Sequence, residues 1–310
     1  DTFYIGQLGN PYMVAAVTLV YPWFNILTAL GNLFGIGGSS LISRLLGVDK
    51  KSDIKRVSAF CFYGGMVLTF SFSLCSLIFR MPLLHFLGAS EENYNYACTY
   101  LLWVVVIGGI PTMLNMTLAH LLRSEGHAQK ASAGMMFGGI LNIILDPIFI
   151  YIMGVQGAAL ATVLSQLAAS VWTFKFLTGK NTIIKIKLSA MRCQAKRVKK
   201  ILVLGLSGFT MSVTNSAVQI ACNVSLQNYG SDVYVGVMTI INSIREVLQM
   251  PVTGLGNGAQ PIIGFNYGAG ENGRVKEAIR YLAAMLIIYS TVAWFIILLI
   301  PKFLIGIFTA

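Results

Sequence analysis

Six stretches of this chain, 2–43, 57–79, 93–122, 147–174, 201–231 and 281–301, contain no Asp, Glu, Lys or Arg. Each is long enough to cross the ~30 Å hydrocarbon core of a bilayer as a helix, which takes ~20 apolar residues. Lipid offers backbone amides no hydrogen-bond partner, so only helices or closed barrels can span it. The runs are far too long for barrel strands of ~10 residues. The sequence therefore predicts an all-α polytopic membrane protein, with about eight spans over 11–43, 56–81, 94–121, 130–153, 156–178, 199–227, 233–263 and 277–304. The first and seventh are long enough to tilt or bend. Only 11% of the 310 residues are charged, against about a quarter in a soluble domain.

The formal net charge of +11 would suit a nucleic-acid partner, but its distribution does not. Arg44, Lys50, Lys51, Lys55 and Arg56 follow the first span, and Arg123 and Lys130 the third. The segment 180–200 carries eight bases, and Arg274, Lys276 and Arg280 follow the seventh span. The intervening loops are acidic or uncharged. Basic loops mark the cytoplasmic side, so residue 1 is expected outside and 179–198 inside. The five cysteines have no CxxC pairing, which gives neither a disulfide framework nor a metal cluster. His85, His120 and His127 are scattered, and no cleavable signal peptide is visible. The absence of an initiator Met at Asp1 leads to the expectation of further chain before it.

Shifted by 221 positions, 1–89 aligns on 222–310 without a gap. Gly9, Gly35, Gly37 and Gly47 then meet Gly230, Gly256, Gly258 and Gly268, and Lys55 meets Lys276. The shift spans six helices, an even number, so the copies share one orientation, as in parallel repeats about an axis along the membrane normal. Two pseudo-symmetric six-helix lobes follow, twelve spans in all, of which this chain would hold the second to the ninth. The expected division is an N-terminal lobe at 1–178, a cytoplasmic linker at 179–198 and a C-terminal lobe at 199–310.

Three blocks resemble the multidrug and toxic compound extrusion (MATE) family. They are Asp1-Thr-Phe-Tyr-Ile-Gly-Gln-Leu-Gly9 with the glycines to Gly47; Leu122-Arg-Ser-Glu-Gly126 with Leu141-Asn-Ile-Ile-Leu-Asp-Pro147 and Gly154-Val-Gln-Gly-Ala-Ala-Leu-Ala-Thr162; and Pro251 to Pro261 running into Gly264-Phe-Asn-Tyr-Gly-Ala269. The resemblance implies export of organic cations and other amphipathic compounds, driven by inward H⁺ or Na⁺. It also implies a coupling-cation site at the positions of Asp1, Asn142, Asp146 and Thr162, with no organic cofactor. Expected partners are small amphipathic substrates and membrane lipids, with no nucleic acid and no obligate protein. The expected location is a plasma membrane, in bacteria the inner membrane.

The residues support such a site on their own. Asp146 stands alone in about forty uncharged residues, and an intramembrane carboxylate costs at least ~2.5–3.5 kcal/mol. Asn142 lies one helical turn earlier on the same face. Pro147 removes a backbone donor and predicts a hinge beside the carboxylate. Asp146 and Thr162 sit at matched depths, ~10 Å and ~9 Å from the outer ends of consecutive spans. The plainer reading is a structural Asp bonded to a neighbouring helix. Arg245 and Glu246, mid-way along the seventh span, read either as groups lining a cavity of the second lobe or as partners in inter-helix salt bridges. Gly31–Gly38 and Gly254–Gly258 lack the Gly-Lys-Ser/Thr of a phosphate loop and are expected to let helices approach and bend. The basic run 180–200 reads as a solvated linker. A lipid-linked oligosaccharide or lipid flippase of the same superfamily is the alternative transporter. An intramembrane enzyme lacks its constellation, such as His-Glu-x-x-His.

Overall fold

The computed structural model describes residues 2–6, 8–179, 182–184, 186, 188–191, 194–229 and 232–302. Among these it contains eleven α-helices and no strand. A short α1 (Thr2–Gly6) precedes α2 (Pro11–Gly47) and α3 (Lys51–Ile78), and α4 (Arg80–Phe86) caps the turn that follows. The third span is α5 (Tyr94–Leu101), a π-helical turn at Leu102–Ile107, and α6 (Gly109–Ser124). Then come α7 (Ala128–Met153), α8 (Val155–Leu177), α9 (Ala195–Tyr229), α10 (Asp232–Gly268) and α11 (Asn272–Leu299). All eight expected spans are present as helices. Six of them are long and apolar enough to cross a membrane, and the bent α5–α6 pair makes a seventh. The remaining one, α10, is diluted by Arg245, Glu246, Gln249, Asn257 and Gln260.

Two local features depart from the expectations. The third span breaks by 46° at Gly108. Pro111 cannot donate to the carbonyl one turn earlier, and the chain widens into the π turn instead. Ser73 of α3 steadies it by donating to the Val105 carbonyl at 2.8 Å. The linker is docked rather than solvated where it is described. Ile184 is fully buried, its N–H donates to a Glu125 carboxylate oxygen, and Thr182 donates to the Leu177 carbonyl at 2.7 Å.

The repeat is built into the helices. Helix α2 and helix α10 each have 37 residues, and α3 and α11 each have 28, with ends that coincide under the 221-residue shift. At ~1.5 Å per residue the long pair measures ~55 Å, so both exceed the hydrocarbon core and run on into the basic end of the bundle. There they lie against each other. A Cβ on Gly268 would meet the Arg44 carbonyl at 2.1 Å, and one on Gly47 would meet the Phe265 carbonyl at 2.2 Å. These contacts are images of each other under the shift. Gln260 donates to its own counterpart, Ser39, at 3.0 Å, and to the Ile36 carbonyl at 3.3 Å. The pseudo-two-fold axis therefore passes between α2 and α10.

Helix α2 is also the hub of the rest, packed by α3, α5, α6 and α9. Its crossing with α9 is again backbone to backbone, since a Cβ on Gly205 would meet the Leu33 carbonyl at 2.0 Å. Close approach of this kind is what small residues provide where lipid supplies no hydrophobic drive. Gly254, Gly256 and Gly258 differ from that expectation, with nothing within 4 Å of an added Cβ among the described atoms. Two further contacts close the basic end. Arg197 at the start of α9 bonds Asp53 of α3 at 3.0 Å. The Arg44 guanidinium lies 4.7 Å over the Tyr267 ring.

Candidate functional site

Helices α7 and α8 hold the intramembrane carboxylate. Gly154 between them takes φ +59°, a conformation that glycine adopts without strain, so the two helices fold back side by side. A Cβ on Gly157 would meet the Phe149 carbonyl at 2.0 Å, and Ala158, Ala159 and Ala161 are buried with no exposed surface. Within this contact Asp146 is 1% exposed. Asn142, one turn earlier, donates its Nδ2 to Asp146 Oδ1 at 3.2 Å. Thr162 is half-buried on α8. The structure thus unites Asn142 with Asp146 by a direct bond and sets Thr162 on the adjoining helix. Helix α7 continues through Pro147. Asp1 lies outside the described residues.

Sequence reasoning missed several neighbours. Tyr100 of α5 is 6% exposed, packs in the same apolar cluster as Val17, Ile150 and Ala158, and lies within electrostatic reach of Asp146. Deeper on the same side, Asn115 of α6 donates to Gln166 of α8 at 2.5 Å. Ser165 beside it is 4% exposed. A helix-face reading of α8 adds Ser165 and Gln166, which follow Thr162 by three and four residues. Nothing local marks Tyr100 or Asn115, because they arrive from other helices.

The donor set is one carboxylate, an amide and a hydroxyl. Asn142 gives its nitrogen to Asp146, which leaves its carbonyl oxygen to accept or coordinate. Such oxygens suit a hard cation. Among the described residues no group of three or more His, Cys, Asp or Glu could hold a metal ion.

A second site lies apart from the first. Helices α2, α9 and α10 line an open cavity of about 700 Å³. Both residues singled out on the seventh span, Arg245 and Glu246, line it, while Asn142, Asp146 and Thr162 do not. Neither charge enters an ion pair among the described residues. Tyr21, Asn25 and Asn32 face them from α2 and Asn215 from α9, and Tyr21 lies within electrostatic reach of Glu246. The floor is at Ile36 and Gly208, just beyond which α2 and α9 close at Gly205.

The MatE family model matches residues 1–148 and 208–310. The multidrug export protein MepA of Staphylococcus saprophyticus is 32% identical over all of this chain and 68% of its own length. MepA of Staphylococcus aureus is 30% identical with the same coverage. The outward-facing structure of a multidrug resistance MATE transporter of the MOP superfamily matches with TM-score 0.90 at 28% identity, over 97% of this chain and 67% of that one. The inward-facing structure of such a transporter matches with TM-score 0.75 at 26% identity, over 98% and 69%.

Proposed function

This chain belongs to the MatE family of membrane transporters, and from that premise we propose that it is a secondary active antiporter exporting organic cations and drug-like amphipathic compounds in exchange for H⁺ or Na⁺. The observation that carries the reading is the separation of two polar sites. Buried Asp146 and half-buried Asn142 are bonded to each other in one repeat, and the cavity with Glu246 and Arg245 opens between the repeats. Ion and drug then meet different surfaces of one machine.

The lobes are 1–178 and 199–310, joined by the linker 179–198, with the basic end in the cytoplasm and the protein in a plasma membrane. The arrangement is outward-open. Its basic end is sealed by Gly47, Gly268 and the Asp53–Arg197 pair, and its likeness to the outward-facing relative is greater than to the inward-facing one. Asp146, with Asn142, Thr162 and Asp1, takes the coupling ion from outside, and the hinge at Pro147 and the break at Gly108 let the lobe repack. Ion loss to the cytoplasm restores drug binding. By linkage, ion and drug alter each other's affinity by the same factor. The lipid-linked flippase gains nothing from the cavity, where Arg245 is the sole basic residue among the described lining residues.

The test is efflux of a fluorescent organic cation from proteoliposomes holding the full-length protein, under an imposed H⁺ and then a Na⁺ gradient. Gradient-driven efflux that Asp146→Asn abolishes supports the reading and identifies the ion. Full coupled efflux in the mutant removes Asp146 from the mechanism, and no efflux under either gradient removes the antiporter.

A further inference from the structure

Helix α6 is hydrogen-bonded on two sides, and the two sides lead to different sites. Toward α8, Asn115 donates to the Gln166 side-chain oxygen at 2.5 Å, and Ser170 donates to the Pro111 carbonyl at 2.9 Å. Both bonds join the turn 111–115 of α6 to the turn 166–170 of α8. The first of these turns follows directly on the 46° break at Gly108, where an added Cβ would meet the Val163 side chain at 2.7 Å. Thr162 stands one turn before Gln166 on the same face of α8, so the bonded stretch begins where the ion site ends. Toward α2, Thr117 donates to the Gly31 carbonyl at 3.2 Å. Gly31 lies between Thr28 and Asn32, which line the central cavity. Residues two apart on a helix point about 200° apart, so Asn115 and Thr117 leave α6 on opposite sides. Asn115, Thr117 and Ser170 are all buried, where a lost partner leaves a polar group unsatisfied.

Resting on the export reading above, we infer that α6 is the member that links ion to drug, with Asn115, through Gln166, and Thr117, through Gly31, as its positioning residues. The bend at Gly108 is the part with two arrangements, which is what coupling between separate sites requires. A change around Thr162 moves Gln166, and Asn115 follows. The bend then alters, and Thr117 carries Gly31 with it, together with the neighbouring Thr28 and Asn32 that face the drug. Neither Asn115 nor Thr117 lines the cavity. Their effect falls on the linkage between the two sites and not on either affinity alone. Because the bonds act in series, breaking one is as effective as breaking both.

The experiment measures the linkage itself on the purified full-length protein. Fluorescence polarisation of a fluorescent organic cation gives its affinity in Na⁺ against choline, and at low against high pH. The ratio under the effective ion is the coupling factor, expected in wild type at about fivefold to 150-fold. Asn115→Ala and Thr117→Val should each reduce that factor about twofold to tenfold, the worth of one hydrogen bond, while dye affinity without the ion stays within about twofold. The double variant should be no worse than either single one, as for links in series. Thr117→Ser keeps the hydroxyl and should keep the full factor. Ser58→Ala removes a buried hydroxyl bonded to carbonyls of its own helix, and should also keep it. An undiminished factor in Asn115→Ala and Thr117→Val overturns the inference and leaves the export reading standing. An equal loss in Ser58→Ala overturns the inference as well, since any buried hydroxyl would then serve. Dye affinity that responds to neither ion in wild type overturns both.

Discussion

Replacing Gly268 by Ala probes the seal at the basic end of the bundle. The added methyl would sit 2.1 Å from the Arg44 carbonyl oxygen and 2.7 Å from its carbon. Both are backbone atoms in the last turn of α2, so no rotamer change relieves the clash. Helices α2 and α10 must part locally by about 1 Å, and a gap of that size forfeits a quarter to a half of each contact's dispersion energy. Overpacking of a tight contact costs about 1–3 kcal/mol, which is about a fivefold to 150-fold shift in an equilibrium. The outward-open arrangement should therefore lose population to one open toward the cytoplasm. Spin labels at Lys50 and Glu271, both exposed beside the seal, report its width by double electron–electron resonance. The short wild-type distance should give way to a longer, broader one in Gly268→Ala and equally in Gly47→Ala. Gly273→Ala, where nothing lies within 4 Å, should leave it unchanged. Identical distributions in all three variants and wild type would refute the argument that backbone contact holds this end shut.

Other expectations follow from the same contacts. The Asp53–Arg197 pair is partly exposed, so a double-mutant cycle on thermal stability with Asp53→Asn and Arg197→Gln should give a coupling of less than about 1 kcal/mol that fades in high salt. Burial raises the Glu125 carboxyl above its ordinary value of 4.5, against the opposing bond from Ile184. The folded state then holds that proton more tightly than the unfolded chain. The resulting penalty is full above the raised pKa and vanishes as pH falls through 4.5; melting temperature should rise on mild acidification, and Glu125→Gln should flatten that rise. Gly157→Ala would push α8 from the Phe149 carbonyl. It should cost about 1–3 kcal/mol of stability and weaken protection from thermal unfolding by the coupling ion.

The spans and the repeat were legible because both are one-dimensional signals. Charge-free length marks a helix that must satisfy its own backbone, and one fixed offset relates Pro11–Gly47 to Asp232–Gly268. Asn142 and Asp146 were legible as a pair for the same reason, one turn apart on one helix. Tyr100, Asn115 and the Gln260–Ser39 bond were not, since their partners come from distant helices and nothing in the local pattern records them. The break at Gly108 was written in Gly108-Gly109-Ile110-Pro111, but continuous apolarity concealed it. The docked linker escaped because its lysines and arginines suggest solvent, while Ile184 and Thr182 bind it to Glu125 and α8.

An axis that runs between two copies of one helix makes each residue on it face its own duplicate. Where the meeting is main chain against main chain, as at Gly47 and Gly268, neither copy has room for a side chain, and both remain the smallest residue. Where side chains meet, the duplicates have diverged into Ser39 and Gln260, and a hydroxyl that would have faced its twin now receives a hydrogen from an amide. Two separate identical subunits could not make that lopsided bond without altering both sides at once. Fusion into one polypeptide permits it, and with it two halves whose backbones match while the side chains between them differ.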